Sequence, residues 1–209
     1  MDALFVAELN ERLFTHFTHG AWRAPYSQRL AAVRLPDTSA SWRIACADAR
    51  DMERAFHGLR QTGAPPPLRP MIAALHDIRE TIAAARLREG FADTLGKLPV
   101  SLPLPGQGPF VLLSAASLPV GQLAAVLLAG AQTGGLVWKP APGAAVSAHL
   151  LMRVLGPLAG GRLAMVQGDH DTGAALAGMA PWIWAGPGDP PAALPAPAVT
   201  VRAPVPARP

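Results

Sequence analysis

The sequence contains very little cysteine and very little lysine. Among its 209 residues, Cys46 is the single cysteine, and Lys97 and Lys139 are the two lysines. One cysteine excludes an internal disulfide and a thiolate zinc cluster, which fits a reducing compartment. Cys46 lies in the apolar run SWRIACA, without a neighbouring histidine or basic cluster to lower the pKa of its thiol. We therefore predict a buried structural cysteine rather than a nucleophile.

Charge is also scarce. Charged residues make up 15% of the chain, apolar residues 50%, and the net charge is +4. This composition argues against a disordered polyelectrolyte. The arginines between Arg12 and Arg88 alternate with acidic residues instead of forming one basic stripe, so no nucleic-acid binding is expected. Asp2 and Glu8 stand where a signal peptide would be basic and then apolar, so we expect a cytoplasmic protein.

No charged residue occurs between Lys97 and Lys139. Residues 109–138 exceed the roughly 20 apolar residues that span a bilayer, so a membrane span is one interpretation. Proline, glycine and glutamine interrupt this stretch, and its pattern changes from strand-like to helical. A buried strand–helix–strand unit accounts for both features, because parallel strands covered on both faces are apolar throughout. We therefore expect no membrane span.

The second half of the chain alternates short apolar strands with helices, which is typical of a parallel α/β sheet. The predicted strands are FVLLS, GLVWK, GRLAMVQG and WIWAGPG, and the predicted helices are VGQLAAVLLAGA, AVSAHLLMRVLGPL and TGAALAGM. Residues 187–209 are dominated by proline and alanine, which favours an extended conformation. We predict one domain over residues 1–186 and a C-terminal arm over 187–209. The arm is either disordered or docked on a partner or on the chain's own sheet edge.

The first half predicts helices around one hairpin. Residues 2–18 have the apolar spacing of an amphipathic helix, and residues 27–47 predict two strands joined by a turn. Asp48 is a plausible N-cap for the next helix, and residues 68–92 predict a longer one.

Two groups of histidines are candidates for ligand or metal binding. His16 and His19 lie three residues apart on the first predicted helix, but no third ligand stands at motif spacing, so we expect no metal site. His170, flanked by Asp169 and Asp171, follows a predicted strand and is either a ligand site or a polar turn.

Lys139 ends a predicted buried strand, at the edge where open parallel sheets bind ligands. Its ammonium there would attract a ligand bearing hydroxyl or phosphate groups, or it extends out of the sheet into water. The residues alone leave both alternatives open. No Walker A, G-x-S-x-G or G-x-G-x-x-G motif accompanies it, and the G-x-G at Gly186 and Gly188 is followed by prolines.

Six segments in order resemble the N-terminal, nucleotide-binding half of the aldehyde dehydrogenase superfamily. They are HGAWRAP, VRLPDTSASWRIACADARDMERAF, GPFVLLSAASLPV, LVWKPAPGAAVSAHLL, LAMVQGDHDTGAAL and WIWAGPGD. The third is similar to the strand and turn that carry the family's Pro-Trp-Asn-Phe-Pro, the fourth to the strand ending in Lys-Pro, and the sixth to Phe-Thr-Gly-Ser-Thr-Glu. The resemblance implies a Rossmann-like open parallel sheet with flanking helices, preceded by a helical and hairpin segment.

The resemblance also implies cofactor positions. The family's Lys-Pro lysine contacts the adenosine ribose of NAD or NADP, which gives Lys139 that role. Ser117, Gly168 and Gly186 correspond to further positions of the cofactor edge.

Three departures weaken this edge. Ser117 stands where the family has the asparagine that stabilises the oxyanion. Pro142 replaces a glutamate that binds ribose hydroxyls in many members. Pro187 replaces a serine that approaches the pyrophosphate, and proline has no backbone N–H to donate.

The resemblance implies that the chain by itself is not an aldehyde dehydrogenase. The sequence ends before the positions of the family's catalytic cysteine and general-base glutamate, and thiohemiacetal oxidation needs both groups. We therefore expect a noncatalytic accessory or structural partner of an enzyme complex, as in large bifunctional proline-catabolic enzymes that carry such a domain. Family members dimerise by strand addition, so a protein partner or a homo-oligomer is expected. The alternatives are a module that binds NAD, NADP or another adenine nucleotide, and half of a split aldehyde oxidoreductase.

Overall fold

The computed structural model describes residues 13–36, 41–59, 64–96, 98, 104 and 108–202. The strands are β1 (Leu13–Phe14), β2 (His16–Thr18), β3 (Ala21–Arg23), β4 (Leu30–Arg34), β5 (Ser41–Ala45), β6 (Phe110–Ser114), β7 (Leu136–Pro140), β8 (Leu163–Met165), β9 (Trp182–Gly186) and β10 (Val199–Arg202). The helices are α1 (Ala49–Leu59), α2 (Leu68–Asp77), α3 (Arg79–Arg88), α4 (Val120–Gln132), α5 (Ala145–Leu155) and α6 (His170–Ala177), with short 3₁₀ turns at Pro142–Ala144 and Pro157–Ala159.

Seven strands form the main sheet in the order β10-β9-β6-β7-β8-β2-β3. The strands from β10 to β8 run parallel, and β2 and β3 add antiparallel strands at one side. The predicted open, mostly parallel α/β sheet is therefore confirmed. Residues 109–138, the long uncharged stretch, are β6, α4 and β7, as the buried strand–helix–strand interpretation predicted. Among the described residues, no helix has the length and apolar character needed to cross a membrane.

The central strands are apolar at every position because both faces of the sheet are covered. On one face, Leu112 and Trp138 belong to an apolar cluster that includes residues of α4 and α5. On the other face, Val111 and Leu113 belong to a second cluster with residues of α1 and α6, such as Phe56. Successive side chains of a strand point to opposite faces, so a strand between two helical layers buries all of them.

The predicted hairpin is also confirmed. β4 and β5 pair antiparallel, with Val33 opposite Trp42, and β1 joins them in a separate three-stranded sheet as the parallel neighbour of β5. Residues 37–40, which include most of the predicted turn, lie outside the described part of the chain. Asp48 accepts a hydrogen bond from the backbone N–H of Asp51 at 3.0 Å, which agrees with its predicted capping of α1.

The prediction of a helix over residues 2–18 is wrong for residues 13–18. These residues form β1 and β2, whereas residues 1–12 lie outside the described part. Each residue of β2 is buried, and the strand lies between β8 and β3, which supply its backbone hydrogen bonds. Aromatic and β-branched residues such as Phe17 and Thr18 suit this pleated setting, so tertiary pairing overrides the helix-like spacing.

The single long helix predicted over residues 68–92 is two helices. Ile78 separates α2 from α3 with φ −104° and ψ 9°, and α3 ends at Arg88, shortly before Gly90 adopts φ 85°. Both helices contact α5. The break at Ile78 divides the segment into two helices that pack on the same neighbour, which apolar spacing along one segment does not reveal.

Residues 187–198, which we call the crossover segment, connect β9 to β10 without a helix. Parallel neighbours need a connection of about a dozen residues or more, and this connection is usually an α-helix. Here prolines and alanines replace it, and Val199–Arg202 pair with Ile183–Gly186. This agrees with docking on the chain's own sheet edge. The boundary between a domain over 1–186 and an arm over 187–209 stays a prediction.

Candidate functional site

A cavity of about 280 Å³ lies at the carboxyl edge of the parallel strands. Leu113 at the end of β6 and Trp184 of β9 contribute apolar walls, and Gly173 of α6 lies opposite them. Pro191 and Leu194 of the crossover segment complete the lining. This is the edge at which open α/β sheets bind ligands, since loops and helix N-termini meet there.

Lys139 is the basic residue of the cavity lining. Its backbone lies opposite Leu113 in the ladder between β6 and β7, and the residue is only 7% exposed. No hydrogen bond or ion pair to its ammonium is present within the described residues. Burial lowers the pKa of Lys139 to about 8, and the nearby Asp169 carboxylate and Cys46 partly oppose this shift. A cation this deep without a partner is energetically costly, which is the physical source of the shift.

The four positions predicted for a cofactor lie along one edge of the sheet. Ser117 follows β6, Lys139 lies in β7, Gly168 follows β8, and Gly186 ends β9. Of these four, Lys139 is the one that lines the cavity. The structure thus brings them to a common edge but not to a common pocket, and their roles in nucleotide binding stay predictions.

No protein-family model matches the sequence, and no curated protein matches it significantly. Solved structures do match. Aldehyde dehydrogenase C from Pseudomonas syringae, in complex with NAD⁺ and octanal, aligns at 21% identity and a TM-score of 0.64 over 83% of this chain and 45% of its own. The Δ-pyrroline-5-carboxylate dehydrogenase from Mycobacterium tuberculosis aligns at 18% identity and 0.68 over 88% and 44%. Proline utilization A from Bdellovibrio bacteriovorus aligns at 18% identity and 0.67 over 88% and 24%.

The chain has an aldehyde-dehydrogenase-like fold. The fold implied by the sequence resemblance is therefore confirmed. The chain spans less than half the length of each of these three structures.

In this aldehyde-dehydrogenase-like fold, a buried arginine holds the turn that contains Ser117. Arg86 donates to the carbonyl oxygens of Ala116 at 2.9 Å and Leu118 at 3.2 Å, on either side of Ser117. Its guanidinium also pairs with Glu89 at 3.0 Å. Arg86 is not among the site residues predicted from the sequence. The available signal was the Arg-x-x-Glu spacing of Arg86 and Glu89, which places both side chains on one helix face.

Asp169 caps α6 beside the cavity. Its carboxylate accepts from the backbone N–H and the hydroxyl of Thr172, both at 3.1 Å, and it pairs with Arg29. Partial burial opposes ionisation, but the Thr172 hydrogen bonds and the Arg29 charge hold the pKa of Asp169 below its usual value. Gly168 is required just before it, because a Cβ there would overlap the Thr172 side chain. Asp169 is thus an N-cap that orients α6.

The other predicted candidates separate into cavity and core residues. His170 and Asp171 line the cavity from the first turn of α6, so the histidine that followed a predicted strand does lie at the candidate site. Cys46 is buried, and burial raises the pKa of its thiol, as expected for a structural cysteine.

His16 and His19, the two candidate metal ligands, lie in different parts of the structure. His16 is buried in β2, where its Nδ1 accepts from the backbone N–H of Gln167 at 3.1 Å. His19 lies in the following turn with φ 52°. Across the described ranges, no group of three or more histidine, cysteine, aspartate or glutamate side chains is arranged to hold a metal ion.

Proposed function

We propose that this chain is a noncatalytic aldehyde-dehydrogenase-like domain that acts as an accessory or structural partner of another protein or of a second copy of itself. The observation that carries the proposal is the crossover segment. Its residues Pro191 and Leu194 line the cavity at the carboxyl edge together with Lys139.

The crossover segment is attached to the sheet at several points. Leu194 packs against the apolar cluster that includes Val111 and Leu113. The backbone N–H of Ala198 donates to the carbonyl of Trp182 at 2.8 Å, and the indole N–H of Trp184 donates to the carbonyl of Gly188 at 2.8 Å. Moving the segment away would expose Leu194 and break these hydrogen bonds, which favours a crossover segment that stays attached to this edge.

The size of the cavity argues in the same direction. Drug-sized ligands occupy pockets of about 300–1,000 Å³, and a dinucleotide is larger than most of them. A cavity of about 280 Å³ suits a fragment rather than a whole dinucleotide. The residues that the resemblance places at the cofactor edge fit poorly as well. Pro142 has no carboxylate to accept from ribose hydroxyls, and Pro187 has no backbone N–H to donate to a pyrophosphate.

The partner surface that we propose is the open side of β10. β9 lies on one side of β10, and among the described residues no strand lies on the other. An exposed strand edge presents unpaired backbone groups, which pair readily with a strand of another chain.

Titration calorimetry of the purified chain with NAD and with NADP tests the proposal. We expect no binding heat from a sample whose circular dichroism shows that it is folded, while a full-length aldehyde dehydrogenase gives heat under the same conditions. Micromolar binding, worth about 8 kcal/mol at 1 μM, that is lost in Lys139→Met would contradict the proposal. The chain would then be a nucleotide-binding module.

A further inference from the structure

Lys139 lines a largely apolar cavity in which its amine is desolvated. Lys139 is only 7% exposed, and Leu113, Trp184 and Leu194 form the apolar part of the cavity wall. Within the described part of the chain, no carboxylate forms an ion pair with it. A desolvated lysine in an apolar pocket is the arrangement that makes an amine nucleophilic at neutral pH.

The charges around the cavity disfavour an anionic ligand. Asp169 and Asp171 lie at the start of α6, and Arg29 is engaged with both of them, at 2.5 and 4.0 Å. His170 lines the cavity from the same helix, and Cys46 lies close enough to interact electrostatically with the lysine. A carboxylate or phosphate would meet two acidic side chains near the lysine, whereas an uncharged ligand would not.

We propose that Lys139 is a nucleophile that captures a small, uncharged aldehyde as an imine inside this cavity. The lone pair of the neutral amine attacks the carbonyl carbon, and the carbonyl π electrons move to oxygen. A proton passes from nitrogen to that oxygen to give a carbinolamine. The hydroxyl of the carbinolamine then takes the remaining N–H proton and leaves as water, while the nitrogen lone pair forms the C=N bond. Nothing is oxidised or reduced, and water is the only other product. This inference goes beyond the proposed accessory role and does not depend on it.

Two features set the reactivity and the size limit. With its pKa lowered to about 8, roughly a quarter of the Lys139 side chains are neutral at pH 7.5, against about 0.1% for a lysine with the ordinary pKa. The cavity of about 280 Å³ admits a short aliphatic or a single-ring aldehyde but not a long chain lying flat.

The experiment is reductive trapping on the full chain. Purified protein is incubated at pH 7.5 with butanal and sodium cyanoborohydride, which converts an imine to a stable secondary amine, and the modified residue is located by peptide mass spectrometry. Lys97 is the internal reference, because the chain has no third lysine. We expect Lys139 to react about tenfold or more faster than Lys97, with a rate that rises through pH 8. Equal rates at the two lysines would overturn the proposal.

Two variants test whether the reaction depends on Lys139 and on the size of its cavity. Lys139→Arg keeps the positive charge but forms no imine, so trapping should be lost at that position. Gly173→Ala narrows the cavity without a clash, since the added Cβ would lie 3.8 Å from Lys139 Cδ and 3.9 Å from Leu113. It also replaces glycine inside a helix, which favours folding. We expect slower trapping at Lys139 and an unchanged rate at Lys97. An unchanged rate at Lys139 would place the reactive amine outside the cavity and overturn the proposal.

Discussion

Arg86 is a buried cation whose guanidinium donates hydrogen bonds to two carboxylates and two backbone carbonyls. It is 2% exposed and donates to Asp93 at 2.9 Å and to Glu89 at 3.0 Å, in addition to the two carbonyls of the turn around Ser117. Asp93 in turn accepts from the backbone N–H of Val120 at 2.6 Å. Arg86 therefore connects α3 to the β6–α4 turn, and Asp93 extends this network to the start of α4.

Glu89 completes this network towards α5. It accepts from the backbone N–H and the hydroxyl of Ser147, both at 2.8 Å. Burial raises the pKa of Glu89, while the charge of Arg86 and the Ser147 hydrogen bonds oppose the rise. Removing the arginine would leave this carboxylate buried with no cation, which is more costly than losing a surface ion pair.

We predict that Arg86→Met lowers the free energy of unfolding by about 3–5 kcal/mol, because it leaves the buried Glu89 carboxylate, the half-buried Asp93 carboxylate and two carbonyls without their donor. Urea denaturation at pH 7 measures this loss. Arg88→Met on the same helix is the matched control, since Arg88 is exposed and should change stability by no more than about 0.5 kcal/mol. Similar small losses in both variants would show that the network contributes little.

At the scale of elements, β10 has one paired side and one open side. The N–H of Ala198, just before β10, points at β9, where it bonds to Trp182. Backbone groups alternate in direction along a strand, so the N–H of Thr200 also points at β9, whereas those of Val199 and Val201 point to the open side. A second chain pairing with β10 would need these outward groups.

We predict that the chain self-associates through this edge and that Val201→Pro weakens the association by at least tenfold in Kd, because proline removes an outward N–H and blocks strand addition. Sedimentation velocity across a range of protein concentrations measures the effect. Val201→Ala is the control, since it loses most of the same side chain but keeps the N–H. Retained association in the proline variant, or a monomer at every concentration, would contradict this prediction.

At the scale of the whole molecule, two buried histidines link folding to pH. His16 lies in β2 with its Nε2 3.6 Å from Asp51, and His149 lies in α5 between the rings of Trp22 at 4.3 Å and Phe14 at 5.6 Å. Burial lowers the pKa of each to about 4, despite the opposing charge of Asp51 near His16. In the unfolded chain both would titrate near 6.5.

We predict that stability falls as the pH drops from about 6.5 to about 4, because over this range the unfolded chain binds protons that the folded chain does not. Each histidine contributes up to about 3 kcal/mol of this loss. Urea denaturation between pH 7.5 and 4.5 measures the slope. His149→Phe keeps a ring between Trp22 and Phe14 and should remove about half of the dependence, so an identical slope in this variant would contradict the assignment.

The sequence by itself determined the elements whose signals are local. The alternation of β6, α4, β7, α5, β8, α6 and β9 follows from short apolar runs separated by turns and helical stretches. The hairpin of β4 and β5 and the location of Lys139 at the end of a buried strand were predicted in the same way. These features depend on neighbouring residues along the chain, so periodicity and turn chemistry suffice to place them.

Only the tertiary structure decided the features that depend on distant contacts. β2 has a helix-like pattern but becomes a strand because β8 and β3 pair with it, and His16 meets Gln167 from a remote part of the sequence. Arg86 and the carbonyl of Leu118 meet across 32 residues. The crossover segment lies at the cavity of Lys139 because β10 pairs with β9 and brings the segment back to the sheet. Such contacts form when packing brings remote segments together, and no local pattern encodes the distance between them.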